Sequence, residues 1–247
     1  MNKTEFEKRI ERKKKTTIFM VLIFILVIAA IITFNTDIFS VNKIEVSGHK
    51  ILTKDSIVYT SGITLGNNIF RERIRTIEEN LIQHPYIKKA NAKRILPNKI
   101  KIDIEERKRY AAIPFVENYI IIDNEGYVLE TLQDHENLVL VKGLDFDNFN
   151  EGDVLSVKDK QQMGILVEII SAIEIQGLSV MEIDLTNTDD IRINISNQLT
   201  SIIGNADNLS YKFMVMSSIL EDLAMKGISR GVIDISHEGY PSYRPVE

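Results

Sequence analysis

The segment HPYIKKANAKRILPNKIKIDIEER, residues 84–107, carries one of the clearest period-two patterns in the chain. Ile100, Ile102 and Ile104 fall on one face, while Lys99, Lys101, Asp103 and Glu105 fall on the other. That alternation is the signature of a strand with one buried side. YIKKANAKRI supplies a strand before it, and Leu96-Pro97-Asn98 turns the chain between the two. Pro85 stops any helix arriving from upstream.

Working back from Pro85, Phe70, Ile74, Ile77 and Leu81 are spaced four, three and four apart. This is one stripe of an amphipathic helix, opened by Asn67 or Asn68. An earlier short helix, TKDSIVYTSG, has Thr53 as its cap and Gly62 as its stop. Before that, VNKIEVSGHKIL places Val41, Ile44 and Val46 near alternating positions and runs into a turn at Gly48. The order strand–helix–helix–strand–strand fills residues 38–107.

Upstream again, TTIFMVLIFILVIAAIITFNT, residues 16–36, has no charged residue over 21 positions. At about 1.5 Å per residue such a helix covers the roughly 30 Å of a bilayer core. A cleaved signal peptide would end a shorter apolar run in a small-x-small site; here Ala29-Ala30 leads into Ile31-Ile32. Residues 1–15 carry seven Lys or Arg, Arg12, Lys13, Lys14 and Lys15 among them, against three Glu. The positive-inside rule then keeps this basic tail in the cytoplasm and sends the rest across, a single-pass type II topology. The four clustered cations also suit lipid headgroups.

Because the net charge is −5 and the tail holds a surplus of four cations, the remainder carries −9. That acidity argues against nucleic acid as a partner. The absence of cysteine removes thiol catalysis and most zinc sites.

Downstream of residue 107, YIIIDNEGYVLE reads as a hairpin turning at Asp123–Gly126. LVLVKG gives another strand, and Ser156 with Asp159 has capping-box spacing before a helix of Met163, Leu166, Val167, Ile170 and Ile173. VMEIDL and IRINIS, joined by a turn at Asn187–Asp190, precede a helix carrying Leu209, Phe213, Met216, Leu220 and Leu223. GVIDIS is the last strand, followed by HEGYPSYRPVE. The fold class is therefore α+β: one N-terminal transmembrane helix, a small β-α-α-β-β domain, and a mainly antiparallel β domain with two helices. The boundaries expected are 1–15, 16–36, 38–107, 108–236 and a C-terminal extension of 237–247.

Catalytic vocabulary is sparse. The chain has no nucleophile elbow, zincin helix or phosphate loop in a suitable context, and its four histidines are scattered. The acidic pairs Asp123/Glu125 and Asp189/Asp190 lie in turns, while Asp184 and Asp234 sit in strands and would have to meet in space to act as acid and base. No enzyme, cofactor, metal or small-molecule substrate is expected.

The order of these pieces resembles one family. A basic tail, one anchor helix, VNKIEVSGHKILTKDSI, and Gly66, Asn68, Ile69 and Phe70 as G-x-N-I-F are similar to the opening of the FtsQ/DivIB family of bacterial division proteins. HPYIKKANAKRILPNKIKIDIEERKRYAAI resembles the end of that family's POTRA domain, and IIIDNEGYVLE and VIDIS…YRP resemble the start and close of its β domain. The resemblance implies a non-catalytic scaffold at the division septum. Its partners would be single-pass proteins of the FtsL and FtsB or DivIC type, through which septal peptidoglycan synthesis is controlled.

An edge strand offers unpaired N–H and C=O groups, so strand addition is the natural way for such a partner to bind. The expected edge runs from Ile233 to Tyr243, with Ile233 in the strand, Ile235 as an apolar anchor, Ser242 near its end, and Tyr240 and Tyr243 as amphipathic contacts. The resemblance places the family's partner-binding strand on Ile235, Ser236 and His237, with a turn at Gly239. Two other classes compete. A POTRA-containing transport or assembly component would carry a barrel of alternating strands, which is not read before Glu247. A membrane-tethered cell-wall enzyme would need two close carboxylates in a cleft.

Overall fold

The computed structural model describes residues 3–35, 37–135, 137–237 and 240–246. Helix α1, Lys3–Asn35, continues without a break from the basic segment into the apolar one. It is the one helix among the described residues that is long and apolar enough to cross a membrane. The apolar side chains of its middle, Ile18 to Ile28, are exposed rather than packed into a core. Beyond α1 the rest of the chain is a mixed α+β structure with two compact units, residues 89–106 belonging with the first and residues 84–88 with the second.

In the first unit, β1 (Lys43–Ser47), α2 (Lys54–Ser61), α3 (Ile74–Ile82), β2 (Ile87–Ile95) and β3 (Lys99–Glu106) follow in that order. The sheet order is β1-β3-β2. β1 runs parallel to β3, with Ile44 opposite Ile100 and Val46 opposite Ile102. Ile100, Ile102 and Ile104 are all buried, so the alternation in the sequence does mark the core face. The Thr53 hydroxyl caps α2 by accepting from the Ser56 amide, and Gly62 ends it in the left-handed conformation. Helix α3 starts at Ile74, later than the apolar stripe suggests. Asn68 and Phe70 lie in a turn before it, because the Asn68 side chain accepts from the Phe70 amide and holds that turn closed.

Gly48 shows how tightly this unit closes. Its φ is +88°, and a Cβ there would lie 1.9 Å from the Ile104 carbonyl oxygen, so only glycine fits. Next to it the Glu106 carboxylate accepts from the amides of Lys50, Ile51 and Leu52 at 2.8, 2.8 and 2.9 Å. Burial pushes the Glu106 pKa up, but those three amides outweigh it and hold the group below the ordinary carboxylate range.

The second unit is one nine-stranded sheet, among the described residues, with two helices. Its strands are β4 (Ala111–Phe115), β5 (Asn118–Ile122), β6 (Val128–Leu132), β7 (Val139–Lys142), β8 (Glu182–Asp184), β9 (Ile191–Ser196), β10 (Leu199–Gly204), β11 (Gly231–Asp234) and β12 (Ser242–Arg244). They are ordered β12-β11-β10-β9-β8-β7-β4-β5-β6. Five of the eight pairings are antiparallel. Helix α4 (Lys160–Gln176) begins at its cap Asp159, whose carboxylate accepts from the Gln161 amide; Ser156 plays no part in the cap. Helix α5 (Leu209–Met225) follows β10.

Leu166, Ile170 and Ile173 of α4 and Phe213 and Met216 of α5 share one core with Ile113, Ile122, Val141, Ile183, Ile193 and Ile233 of the sheet. At about 1.5–3 kcal/mol for each fully buried large apolar side chain, this one core supplies most of the unit's stability. Its size gives the sheet a firm face on which an edge can be presented.

Candidate partner-binding edge

Strand β11 grows out of the core. Ile233 is fully buried, and it pairs in parallel with Ser201 of β10. On its other side β12 pairs antiparallel, with Ile233 opposite Tyr243, Asp234 opposite Ser242 and Val232 opposite Arg244. The outer edge of the sheet is therefore β12, and β11 lies one strand inside it. The reading of Ile233 to Tyr243 as a single edge is corrected in that respect: the chain leaves β11 after Asp234 and returns as a separate strand at Ser242. The reason is the local chemistry of Asp234, whose carboxylate accepts from the amide and hydroxyl of Ser236 at 3.1 and 2.7 Å and bends the backbone there.

Ile233 and Ile235 belong to the core, Ile235 with only 4 % of its surface exposed, so neither is an anchor open to a partner. Ile235 also donates its amide to the Ile202 carbonyl, extending β11's pairing with β10 by one residue. Ser236 is half-buried and His237 exposed. Gly239 lies outside the described residues. Tyr240 is fully exposed, and Ser242 is exposed on β12.

Tyr243 has a structural task. Its hydroxyl donates to the Arg230 carbonyl at 2.6 Å, and its ring packs over Gly231. A Cβ on Gly231 would stand 2.6 Å from that ring and 2.7 Å from the Arg244 carbonyl oxygen, so the glycine is what lets β12 lie down. The far end is held loosely, Arg244 standing 3.8 Å from the Asp234 carboxylate. The Ser236 hydroxyl, working against partial burial, keeps the Asp234 pKa below its ordinary value, with the Ser236 amide adding to it.

Ile235, Ser236, His237 and Pro241 line a cleft of about 300 Å³ together with Tyr211 and Lys212 of α5. Lys212 was not singled out by the sequence. Its ammonium donates to the carbonyls of Ile203 and Asn205 and to the Asn205 side chain, fixing the loop that leads into α5, and burial lowers its pKa. A Lys three residues into a helix carries no mark of that task in the sequence alone.

The acidic groups weighed for catalysis are otherwise engaged. Asp123 is buried, accepts from the amides of Glu125 and Tyr127, and receives the Arg107 guanidinium at 2.5 Å. Asp190 pairs with Arg192. Asp184 and Asp234 stand on β8 and β11, three strand positions apart, or about 14 Å at normal spacing. No group of three or more metal-ligating side chains occurs among the described residues. Arg12, Lys13, Lys14 and Lys15 are exposed along α1.

Comparison with known proteins matches residues 39–107 to the FtsQ-type POTRA domain. Over 241 residues the chain is 30% identical to the cell division protein DivIB of Clostridium botulinum, covering 95% of this chain and 94% of that one. It is 31% identical over 224 residues to the DivIB of Clostridium tetani, covering 88% and 84%. The cell division protein FtsQ of Corynebacterium glutamicum is 23% identical over 205 residues, covering 81% and 87%.

Proposed function

Because the chain belongs to the FtsQ/DivIB family of bacterial cell-division proteins, we propose that it is a non-catalytic, membrane-anchored scaffold that captures single-pass division proteins of the FtsL and FtsB or DivIC type. Capture takes place by strand addition to β12. Through it the complex controls septal peptidoglycan synthesis. The observation that carries this reading is an outer strand of three residues whose far side has no strand partner among the described residues, beside a fully exposed tyrosine, Tyr240, and a cleft. Backbone pairing supplies affinity in this mode, and a pocket next to the edge supplies selectivity.

The anchor makes modest edge contacts sufficient. Helix α1 crosses the membrane with residues 1–15 in the cytoplasm, where Arg12 to Lys15 meet anionic headgroups, and the bulk of the chain stands outside. Holding both proteins in one bilayer raises their effective concentration without any new contact. The domains proposed are the basic tail 1–15, the membrane helix 16–36, a POTRA domain 38–107, a β domain 108–236 and the extension 237–247 that carries β12.

Tyr240→Glu is the direct test, since Tyr240 is fully exposed. It is expected to reduce co-purification of the FtsL and FtsB/DivIC-type pair at least tenfold with an unchanged melting temperature. Undiminished capture would show that β12 is not the site. Fluorescent localisation tests the wider reading: septal enrichment is expected, and uniform membrane staining in dividing cells would overturn it.

A further inference from the structure

The loop after α2 is tied to the exit of the membrane helix more firmly than a connector needs. The Asn68 side-chain amide donates to the Thr33 carbonyl, in the last turn of α1, at 2.7 Å. Around it the backbone is laced to residues 39–41: Ile69 donates to Phe39, Val41 to Asn67 and Gly66 to Val41, each at 2.8 Å. Ser40 and Asn68 also form an isolated antiparallel bridge. This loop therefore sits at the level where α1 ends.

Among polar neighbours, three apolar side chains are exposed at that level. Ile38 is 60 % exposed and Leu65 59 %, while Phe70 is 37 % exposed with its ring 5.4 Å from that of Phe39. Leu65 shares a shallow hollow with Asp37, Ser40 and Asn42. Exposed Arg71 and Arg73 follow directly. A single exposed leucine needs no explanation. Exposed apolar groups on two segments that the backbone bonds tie together, followed by Arg71 and Arg73 with Glu72 between them, have the composition of a surface that lies in a lipid interface.

We propose that Ile38, Leu65 and Phe70 form a second membrane contact, dipping into the lipid interface beside α1 and seating the first unit on the bilayer surface while Arg71 and Arg73 meet lipid phosphates. The occupant is lipid because the tie between Asn68 and Thr33 carries these side chains to the bilayer surface wherever α1 spans it. The inference rests on α1 being a membrane anchor, and the experiment separates the two.

The chain has no cysteine, so single labels are clean. Full-length Ile25→Cys, Leu65→Cys and Tyr59→Cys, each carrying a nitroxide, are reconstituted in vesicles of phosphatidylethanolamine and phosphatidylglycerol. Accessibility to oxygen is compared with accessibility to a water-soluble nickel chelate. Ile25 is expected in hydrocarbon, Tyr59 in water, and Leu65 at the boundary with an oxygen-to-nickel ratio at least threefold above that of Tyr59. A Leu65 ratio equal to that of Tyr59, with Ile25 immersed, overturns the second contact and leaves the anchor standing. Shielding of Leu65 from both probes assigns the surface to a second copy of the chain and also overturns it. Ile25 outside hydrocarbon removes the anchor, and this contact with it.

Discussion

The two ends of the nine-stranded sheet are finished in opposite ways. At β6 the outer edge is covered from its first residue. Val128 donates to Asp153 and accepts from Gly152, and Tyr127 bridges Val154. The turn into β6 is locked by the buried Arg107–Asp123 pair, with the Arg107 guanidinium 3.5 Å from the Tyr127 ring centre. Farther along, the Glu130 carboxylate binds Arg109 and the Tyr86 hydroxyl. At β12 three residues are held by one neighbour, a tyrosine hydroxyl and one long ion pair. An exposed edge invites pairing with another chain, so proteins normally block it. Here one end is blocked with a loop and charges, and the other is left to a short strand.

The largest effect is expected at the closed end. Arg107→Ala leaves a buried carboxylate without its cation, a loss of about 3–5 kcal/mol, seen as the early unfolding of the second unit in urea. Adding Asp123→Asn to Arg107→Ala, which removes the uncompensated charge and keeps a side-chain oxygen for the Glu125 and Tyr127 amides, should recover part of it. If Arg107→Ala costs less than about 1 kcal/mol, the contrast between the ends is not one of stability.

Second in size is Gly231→Val at the open end. The new side chain meets the Tyr243 ring and a φ of +138° that valine resists, for a loss of about 2 kcal/mol. Because β12 has one strand neighbour among the described residues, the damage should stay local. Amide exchange at residues 242–244 is expected to lose its protection while β4 and β5 keep theirs. Global unfolding would mean that β12 is an integral strand rather than an appended one.

This asymmetry bears on what could be read from the sequence. The Ile100–Ile104 alternation and the stripes of α4 and α5 were legible because burial on one face imposes a period. Three strands were not. β4 contains Pro114, which argues against an interior strand; it is tolerated because β7 pairs only with Ala111 and Ala112, so Pro114 has a strand neighbour on one side alone. β10 follows β9 across Asn197-Gln198, a two-residue turn without the glycine that marks a hairpin, and the polar Ser201 on its buried face breaks the apolar alternation of Leu199 and Ile203. β12 has three residues and no apolar period. Its register comes from Gly231 and the Asp234–Ser236 turn, which act through space. For the same reason Arg107 looks in sequence like one more charge in a polar run, and only the fold reveals Asp123 beside it.

A smaller effect comes from acid. Asp234 has its pKa held low in the fold by Ser236, so the stability it contributes is present above its unfolded value of about 3.9 and is lost as pH falls through the folded value. Protection factors at residues 242–244 should therefore drop below about pH 4. In Asp234→Asn they should be slightly lower at neutral pH and flat through that range. A drop of the same size in the variant would trace the acid response to another carboxylate.

The smallest effect on the fold is the one with the largest expected consequence for capture. Tyr240 is wholly exposed, and a surface substitution of that kind changes stability by no more than about 0.5 kcal/mol. Tyr243→Glu cannot serve the same purpose, since Tyr243 bonds Arg230 and covers Gly231, and its loss would confuse a detached strand with a lost contact. Tyr243→Phe supplies the missing comparison. It removes one hydrogen bond, worth about 1 kcal/mol, and leaves the ring that packs on Gly231 in place. If the open end works through its backbone, Tyr243→Phe should weaken capture only as far as it loosens β12, whereas Tyr240→Glu should weaken it with β12 fully protected from exchange. Equal losses of capture and protection in both variants would mean that the edge is disrupted rather than read, and the tyrosine at 240 would lose its assigned role.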